Sequence, residues 1–394
     1  MAQHPTGDTS ARAKPKRLLY VVTEDWFFCS HFLPMARAAK AAGFEVAIAT
    51  RIGTKGEVLA AEGLSVFPLE GRRGRIGPIA LIAESIALLR VMRRFRPDLL
   101  HLIALKPVLL AGMVGRLLRI KAIVCAVTGQ GYLAAADGVR ADLMRRTVGL
   151  VLTWLFRSPR THLLLENPDD ATPYAAVIPG LRDRCTQVGG AGVDPADFPT
   201  TPLPHHQPPV AVLVARMLWS KGVDVAVAAQ QQLWGQGQQV VLRLVGAPDP
   251  ENPRAVPLAI LEEWSRLPGI EWLGRRSDIA AIWQDADIAV IPSRGGEGLP
   301  RALLEAASSG RPIITSDVPG CRDFVRDGVE GFIVNPGSIE DLAQGLAKLT
   351  NNPDLRTRLG ANAHARLLDG YTEAQVAAAV GSLYLRLASA RASL

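Results

Sequence analysis

The chain has 394 residues, of which 48% are hydrophobic and 21% are charged, and its net charge is +7. This length suits two domains, and this composition excludes a chain that is disordered throughout. Four widely scattered cysteines, Cys29, Cys125, Cys185 and Cys321, give no pair at metal-ligand spacing, so we expect no metal site and a reduced, cytoplasmic setting.

The charge is distributed unevenly along the chain. Residues 1–196 contain 26 basic and 16 acidic residues, a net charge of +10, whereas residues 197–394 contain 18 and 21, a net charge of −3. The basic half favours an anionic partner, either membrane phospholipid or a phosphorylated acceptor. Nucleic acid is disfavoured, because the chain lacks a nucleic-acid-binding motif and its basic residues are not interleaved with aromatic ones.

In the first half, short apolar runs alternate with helical patterns, which is typical of β-α-β units around a parallel sheet. The segment 1–16 is predicted to be flexible, with no export signal. Predicted strands lie at residues 18–22, 45–49, 99–102, 122–127 and 162–165, and predicted helices at 32–42 and 79–95. Six prolines between Pro195 and Pro209 indicate a linker, which we place at residues 196–209.

The same alternation begins again after the linker. Predicted strands lie at residues 210–214, 240–245, 288–292 and 313–316, and predicted helices at 223–232 and 259–265. The fold class is therefore α/β, with two doubly wound domains at 17–195 and 210–372 and a C-terminal helix, within 373–394, that crosses back to the first domain. Such sheets bind ligands beyond the carboxyl ends of their strands, so we expect an active site in the cleft between the domains.

The longest apolar stretches, residues 77–92 and 147–156, are interrupted by charge or too short to span a bilayer, which takes about 20 residues. Arginines cluster near them, which favours peripheral docking at the anionic inner face of the plasma membrane. The alternative for 147–156 is a buried core helix. The clusters are Arg72, Arg73 and Arg75; Arg90, Arg93, Arg94 and Arg96; and Arg145 and Arg146.

The segment from Ser293 to Gly310 contains a strand end, a glycine-rich loop and a helix that begins at Pro300. Glycines at 295, 296 and 298 allow close approach of a ligand, and the amides of Gly298 and Leu299 lie where a helix N-terminus attracts an anion such as a diphosphate. Two carboxylates, Glu297 and Glu305, are eight residues apart. The alternative for Glu305 is a surface ion pair with Arg301, four residues before it.

Residues 278–334 closely resemble the donor domain of the retaining GT-B glycosyltransferases of family 4. The match includes the two glutamates of the E-x7-E pattern, the VPGCRD strand and loop, and the DGVEGFIV turn and strand. The resemblance implies two Rossmann-like domains facing a cleft. It also implies that Glu297 contacts hydroxyls of the transferred sugar, that Glu305 accepts hydrogen bonds from the nucleotide ribose, and that the loop with Gly296 approaches the donor.

Residues 214–224 resemble the family's strand and loop that hold the donor diphosphate, a role that Arg216 and Lys221 inherit. Fixed cations stabilise the charge that develops on the leaving nucleoside diphosphate. The alternative is a pair of solvated surface cations. The resemblance implies a metal-independent enzyme, with no cofactor beyond the nucleotide-sugar donor.

In the first half the resemblance is weaker, so each candidate residue on the acceptor side has two interpretations. His31 follows the first strand and is either a contact to sugar or acceptor or a structural histidine. The segment AVTGQGYL lacks the histidine common in the family; together with the preceding HLIALKP, it resembles a bacterial subgroup that builds surface polysaccharides on polyprenyl-diphosphate carriers. The candidates there are Lys106, Thr128 and Gly129, with a cation at a sheet edge and turn residues as the alternative.

The resemblance as a whole implies transfer of a hexose or N-acetylhexosamine from a nucleotide sugar to a saccharide acceptor. The resemblance to the subgroup favours an acceptor linked to polyprenyl diphosphate, in surface polysaccharide biosynthesis, and UDP is favoured as the donor nucleotide by its frequency in the family. The alternatives are a nucleotide-sugar epimerase or phosphorylase of the same architecture, or a non-catalytic GT-B scaffold. A dehydrogenase is excluded because neither half carries a glycine fingerprint after its first strand.

Overall fold

The structure is a computed structural model that describes residues 15–70, 77–127, 139–250, 252–296 and 298–389. Several residues singled out above lie outside these ranges. They are Arg72, Arg73, Arg75, Thr128, Gly129 and Glu297.

The described part of the first domain contains seven parallel strands in the order β3-β2-β1-β4-β5-β6-β7. The strands are β1 (Arg17–Glu24), β2 (Glu45–Arg51), β3 (Ser65–Pro68), β4 (Leu99–Ile103), β5 (Ala122–Ala126), β6 (Thr161–Leu165) and β7 (Cys185–Gln187). The helices are α1 (Asp25–His31), α2 (Leu33–Ala41), α3 (Gly56–Ala61), α4 (Pro78–Phe95), α5 (Leu105–Leu117), α6 (Val139–Phe156) and α7 (Thr172–Ala175).

The described part of the second domain contains six parallel strands in the order β10-β9-β8-β11-β12-β13. The strands are β8 (Val210–Val214), β9 (Val241–Val245), β10 (Ile270–Trp272), β11 (Ile288–Ile291), β12 (Ile313–Ser316) and β13 (Gly331–Val334). The helices are α8 (Val223–Gly235), α9 (Leu258–Trp264), α10 (Ile279–Gln284), α11 (Arg301–Ser308), α12 (Cys321–Phe324), α13 (Ile339–Thr350) and α14 (Pro353–Leu368). The C-terminal segment forms α15 (Glu373–Ser389).

Helices cover both faces of each sheet, and the central strands are therefore buried on both sides. All five residues of β4 and of β5 are buried, as are all four of β11. Continuous apolar runs are what a doubly covered parallel sheet requires. The two Rossmann-like domains predicted from the sequence are confirmed.

Residues 198–209 connect the domains without a helix or strand, and a buried arginine holds this segment. Arg311 precedes β12 and is fully buried. Its guanidinium donates to the backbone oxygens of Thr201 (2.8 Å) and Ala286 (3.0 Å). Burial lowers the pKa of Arg311 to about 10, so the group remains charged at neutral pH. The linker is thus fixed to the second domain.

Helix α15 belongs to the C-terminal segment but packs on α2 and β4 of the first domain. Three buried polar side chains join it to the sheet: the Tyr384 hydroxyl lies 2.9 Å from the Tyr20 hydroxyl and 2.5 Å from Nδ1 of His101. Because burial lowers the pKa of His101 to about 3, this cluster is neutral at physiological pH. The expected return of the C-terminal helix to the first domain is therefore observed.

Candidate functional site

In each sheet the strand order reverses at one point, between β1 and β4 in the first domain and between β8 and β11 in the second. Ligands of doubly wound sheets bind beyond the carboxyl ends of the strands at this point. His31 follows β1, Lys106 follows β4, Arg216 and Lys221 follow β8, and the glycine-rich loop follows β11. The topology therefore places these described candidates beyond the carboxyl ends of the strands.

The loop after β8 presents two cations. Arg216 forms an ion pair with Asp249 (Nη1–Oδ2 2.8 Å), and its side chain remains 46% exposed. Lys221 ends a 3-10 turn, Trp219–Lys221, and is half-buried. The following residue, Gly222, has φ +67°, and a Cβ there would lie 2.0 Å from the carbonyl oxygen of Pro292. Only glycine allows this close approach of the Lys221 turn to the end of β11.

Arg294, which the sequence arguments missed, fixes this turn. Its guanidinium makes a bidentate ion pair with Asp224, with both N–O distances 2.7 Å, and donates to the carbonyl oxygen of Trp219 at 2.7 Å. Its backbone amide donates to the carbonyl of Ser220 at 2.8 Å. A bidentate arginine contact fixes geometry as well as charge. Arg294 therefore holds the Lys221 turn against the glycine-rich loop.

The glycine-rich loop approaches the first domain closely. Gly295 and Gly296 have φ of +103° and +80°, which favours glycine at both positions. The amide of Leu299 donates to Oε2 of Glu166 at 2.8 Å, and Glu166 is the first residue after β6. A Cβ on Gly298 would lie 1.8 Å from the same oxygen. The loop amide that the sequence assigned to an anion thus already meets a carboxylate from the opposite domain.

Helix α11 carries Glu305, whose side chain is only 12% exposed. Its Oε1 accepts from Nε of Arg301 at 3.0 Å, and its Oε2 lies 3.4 Å from Nε1 of Trp283. Arg301 also donates to the carbonyl oxygen of Ser30 in the first domain. The ion pair considered as the alternative for Glu305 exists, but at a buried position on the cleft rather than on the outer surface.

His31 ends α1, a helix that the sequence did not predict. Its Nδ1 lies 2.7 Å from Oγ of Ser30, and its ring packs on Phe27 with 4.4 Å between centroids. Burial, with the positive charges of Arg301 and Lys221, lowers the pKa of His31 to about 4. The imidazole is therefore neutral at pH 7, and it faces the cations of the second domain.

Of the remaining sequence candidates, only Lys106 lies within the described residues. Lys106 lies in the first turn of α5, next to a central strand and not at a sheet edge, and pairs with Glu84 of α4 (Nζ–Oε2 2.5 Å). Glu297, Thr128 and Gly129 lie outside the described residues. No group of three or more His, Cys, Asp or Glu side chains with metal-ligand geometry occurs within the described ranges.

A second contact between the domains lies beside Glu166. Asp169 forms an ion pair with Arg322 of α12. The neighbouring Asp170 accepts from Nδ2 of the buried Asn167 at 3.0 Å, while burial raises its pKa to about 6. Glu166 and Asp169 were missed as contact residues. The position of Glu166 directly after a predicted strand is a signal that could have found it.

Two family models match the chain, Glycosyl transferase 4-like over residues 17–157 and Glycosyl transferases group 1 over residues 198–366. The N,N'-diacetylbacillosaminyl-diphospho-undecaprenol alpha-1,3-N-acetylgalactosaminyltransferase of Campylobacter jejuni is 25% identical over 371 residues, which are 91% of this chain and 95% of that protein.

Solved structures show the same fold. A glycosyltransferase from Rickettsia africae has a TM-score of 0.75 at 15% identity, covering 96% of this chain and 100% of that one. Anabaena HepE in complex with UDP and glucose has a TM-score of 0.71 at 17% identity, covering 95% and 99%.

Proposed function

We propose that this chain, which belongs to the GT-B glycosyltransferases of family 4, transfers a hexose or N-acetylhexosamine from a UDP-sugar to a saccharide on a polyprenyl diphosphate. The anomeric configuration of the sugar is proposed to be retained. The observation that carries the proposal is the position of Arg216 and Lys221 in the loop after β8 and of the buried Glu305 in the helix that follows the glycine-rich loop after β11. Cations for a diphosphate and a carboxylate for a ribose are the groups that a nucleotide sugar requires.

In the proposed reaction the acceptor hydroxyl attacks the anomeric carbon on the face from which the nucleotide leaves. The bond between that carbon and the phosphate oxygen breaks, and the hydroxyl proton passes to the leaving phosphate. Arg216 and Lys221 stabilise the negative charge that develops on the diphosphate, so we propose that no metal ion is needed. Glu297 is proposed to orient the sugar through its hydroxyls.

His31 suits a positioning role in this reaction better than that of a general base. Its pKa of about 4 makes it neutral but a weak proton acceptor at pH 7, and its Nδ1 already meets Ser30. We propose that the ring lines the cleft where the sugar and the acceptor meet. Lys106 already forms an ion pair with Glu84, so a role at an acceptor phosphate requires that this ion pair breaks.

The lipid-linked acceptor is proposed because the Campylobacter relative is named for a diphospho-undecaprenol substrate. The first domain carries a surface that suits such a substrate. Exposed apolar side chains at helical spacing line α4 and α6, and α5 packs between these helices. The guanidinium of Arg116 on α5 stacks over Trp154 at 3.8 Å. The apolar residues of this surface are Ile79, Ile82, Ile86, Leu117, Leu143, Leu150 and Trp154.

Exposed arginines border this apolar surface, among them Arg90, Arg93, Arg94 and Arg146. Helix α6 also buries Leu152, Leu155 and Phe156, so it is a core helix on one face and exposed on the other. Within the described ranges, every helix is too short or too polar to cross a membrane. We propose that this surface docks on an anionic bilayer, where a lipid-linked acceptor is reached.

Transfer is tested by incubating the purified protein with UDP-GalNAc, UDP-GlcNAc or UDP-glucose and an extracted polyprenyl-diphosphate saccharide. The proposal expects acceptor-dependent release of UDP and an α-linked product by NMR. Isomerised UDP-sugar without UDP release would indicate an epimerase, and no turnover with any donor would indicate a scaffold. Either result would refute the proposal.

Membrane docking is tested by sedimentation with vesicles that contain phosphatidylglycerol at low salt. Leu150→Glu places a charge on a side chain that is 72% exposed in the proposed surface and should reduce pelleting. Leu258→Glu changes a 53% exposed leucine of the second domain and should have no effect. If the unmodified protein stays in the supernatant, the docking proposal is wrong.

A further inference from the structure

The side chain of Glu166 in the first domain contacts the glycine-rich loop. Glu166 follows β6 directly, is half-buried, and its Oε2 accepts from the amide of Leu299 at 2.8 Å. A side chain at position 298 would collide with this carboxylate, since a Cβ there would lie 1.8 Å from Oε2. Glycine at 298 is therefore required for Glu166 and the Leu299 amide to meet.

The chemistry of this contact distinguishes between the two parts of a nucleotide sugar. A carboxylate and a phosphate are both acceptors and both negatively charged, so a diphosphate placed at the Leu299 amide would be repelled by Glu166. A sugar hydroxyl both accepts and donates. It can replace the direct contact, accepting from the Leu299 amide and donating to Glu166, so that neither group is left unpaired.

We propose that Glu166 is a specificity-determining residue that binds one hydroxyl of the transferred sugar, together with the amide of Leu299. This inference rests on the proposed function and changes one sequence expectation. The Leu299 amide serves the sugar, and the diphosphate is left to Arg216 and Lys221.

The location of the pair between the domains gives the hydroxyl a second effect. Glu166 belongs to the first domain and Leu299 to the second, so a hydroxyl bound by both connects the domains. Two flanking contacts join the same surfaces, Arg301 with the Ser30 carbonyl and Arg322 with Asp169. A sugar that presents the hydroxyl correctly therefore stabilises the closed cleft. A sugar that lacks this hydroxyl makes no hydrogen bond to Glu166 or to the Leu299 amide.

The test compares binding of UDP with binding of UDP-GlcNAc, UDP-GalNAc and UDP-glucose to the full chain by calorimetry. The wild-type protein is expected to bind its preferred UDP-sugar more tightly than UDP, and the ratio of these two affinities is the contribution of the sugar. Glu166→Ala should reduce this ratio by about 10-fold or more, because a hydrogen bond to a charged acceptor is lost. Affinity for UDP itself should stay within twofold. Glu166→Gln, which keeps the side-chain shape, should show a smaller loss.

Deoxyfluoro analogues of the preferred UDP-sugar identify the hydroxyl. Fluorine cannot donate a hydrogen bond to a carboxylate. One analogue should therefore bind the wild-type protein about 10-fold more weakly than the parent UDP-sugar does. In Glu166→Ala, the same analogue and the parent UDP-sugar should bind equally. If every analogue shows the same penalty in both proteins, Glu166 contacts no sugar hydroxyl.

Two variants separate this role from general effects. Asp169→Asn breaks the neighbouring ion pair with Arg322, and Glu62→Gln removes a carboxylate that pairs with Arg37, a residue of the same domain. Both should retain the sugar's contribution to affinity. If Asp169→Asn loses that contribution as Glu166→Ala does, the effect comes from domain closure and the inference is wrong.

Tighter binding of UDP to the Glu166 variants would also overturn the inference, because Glu166 would then compete with the diphosphate for the Leu299 amide. Failure of the proposed function gives a different result. In that case the wild-type protein shows no acceptor-dependent release of UDP, whereas failure of this inference alone leaves wild-type transfer intact.

Discussion

Glu305→Gln tests the ribose contact most directly, because the substitution keeps the shape of a side chain that is only 12% exposed. The carboxylate is proposed to accept from the ribose hydroxyls, and hydrogen bonds to charged groups are worth about 1.5–3 kcal/mol. The amide keeps one acceptor oxygen but loses the charge. Affinity for UDP, measured by calorimetry, should therefore fall about 10- to 150-fold.

The structure requires one control, because Glu305 also pairs with Arg301, which reaches the Ser30 carbonyl in the first domain. Arg301→Gln breaks this bridge and leaves Glu305 in place, so it should affect UDP binding much less than Glu305→Gln. 2′-Deoxy-UDP should bind the wild-type protein more weakly than UDP but bind Glu305→Gln about equally. UDP affinity within twofold of wild type in a folded Glu305→Gln protein would refute the ribose contact.

Four further outcomes follow from the site. Glu297→Ala should abolish UDP release while nucleotide affinity stays nearly intact; normal turnover would refute its role at the sugar. Lys221→Ala should weaken UDP but not uridine binding, with the exposed Arg276→Ala as a matched control, and unchanged UDP affinity would show that Lys221 does not contact the diphosphate. EDTA should leave UDP release unchanged, and loss that Mg²⁺ restores would contradict metal independence. Asp170 has a folded-state pKa of about 6 against an ordinary value of 3.8, so the folded state binds its proton more tightly and ionisation opposes folding. Asp170→Asn should therefore add about 1–2 kcal/mol to the free energy of unfolding above pH 6, after allowance for solvent screening. Below pH 3.8 the substitution should add nothing. An equal gain at both pH values in urea titrations would contradict this.

Most central strands could be predicted from the sequence because a parallel sheet covered on both faces needs continuous apolar runs. The strands that were missed are edge strands: β3 and β7 lie at the two ends of the first sheet, and β10 lies at one end of the second. The β3 segment Ser65–Pro68 has exposed residues at both ends and half-buried ones between them. An edge strand with partial exposure carries little apolar periodicity, so it resembles a loop.

The candidate residues of the second domain could be grouped from the sequence because they are close in sequence. Glu305 is in the helix that follows the glycine-rich loop, and Arg216 and Lys221 share one loop after β8. Glu166 is 133 residues from its partner Leu299, and Ser30 is 271 residues from Arg301. Such contacts depend on how the two domains face each other, which no local pattern specifies.

The contacts across the cleft also bear on how donor binding and closure are related. Leu299, Arg301 and Arg322 all belong to the second domain near the glycine-rich loop, and each meets a first-domain group: Glu166, Ser30 or Asp169. A ligand shifts a conformational equilibrium only by its difference in affinity for the two states. In the proposed donor site a nucleotide alone contacts mainly the second domain, so closure adds little to its affinity. A nucleotide sugar that also reaches the first domain gains from closure, so the transferred sugar, rather than the nucleotide, should drive the cleft to close.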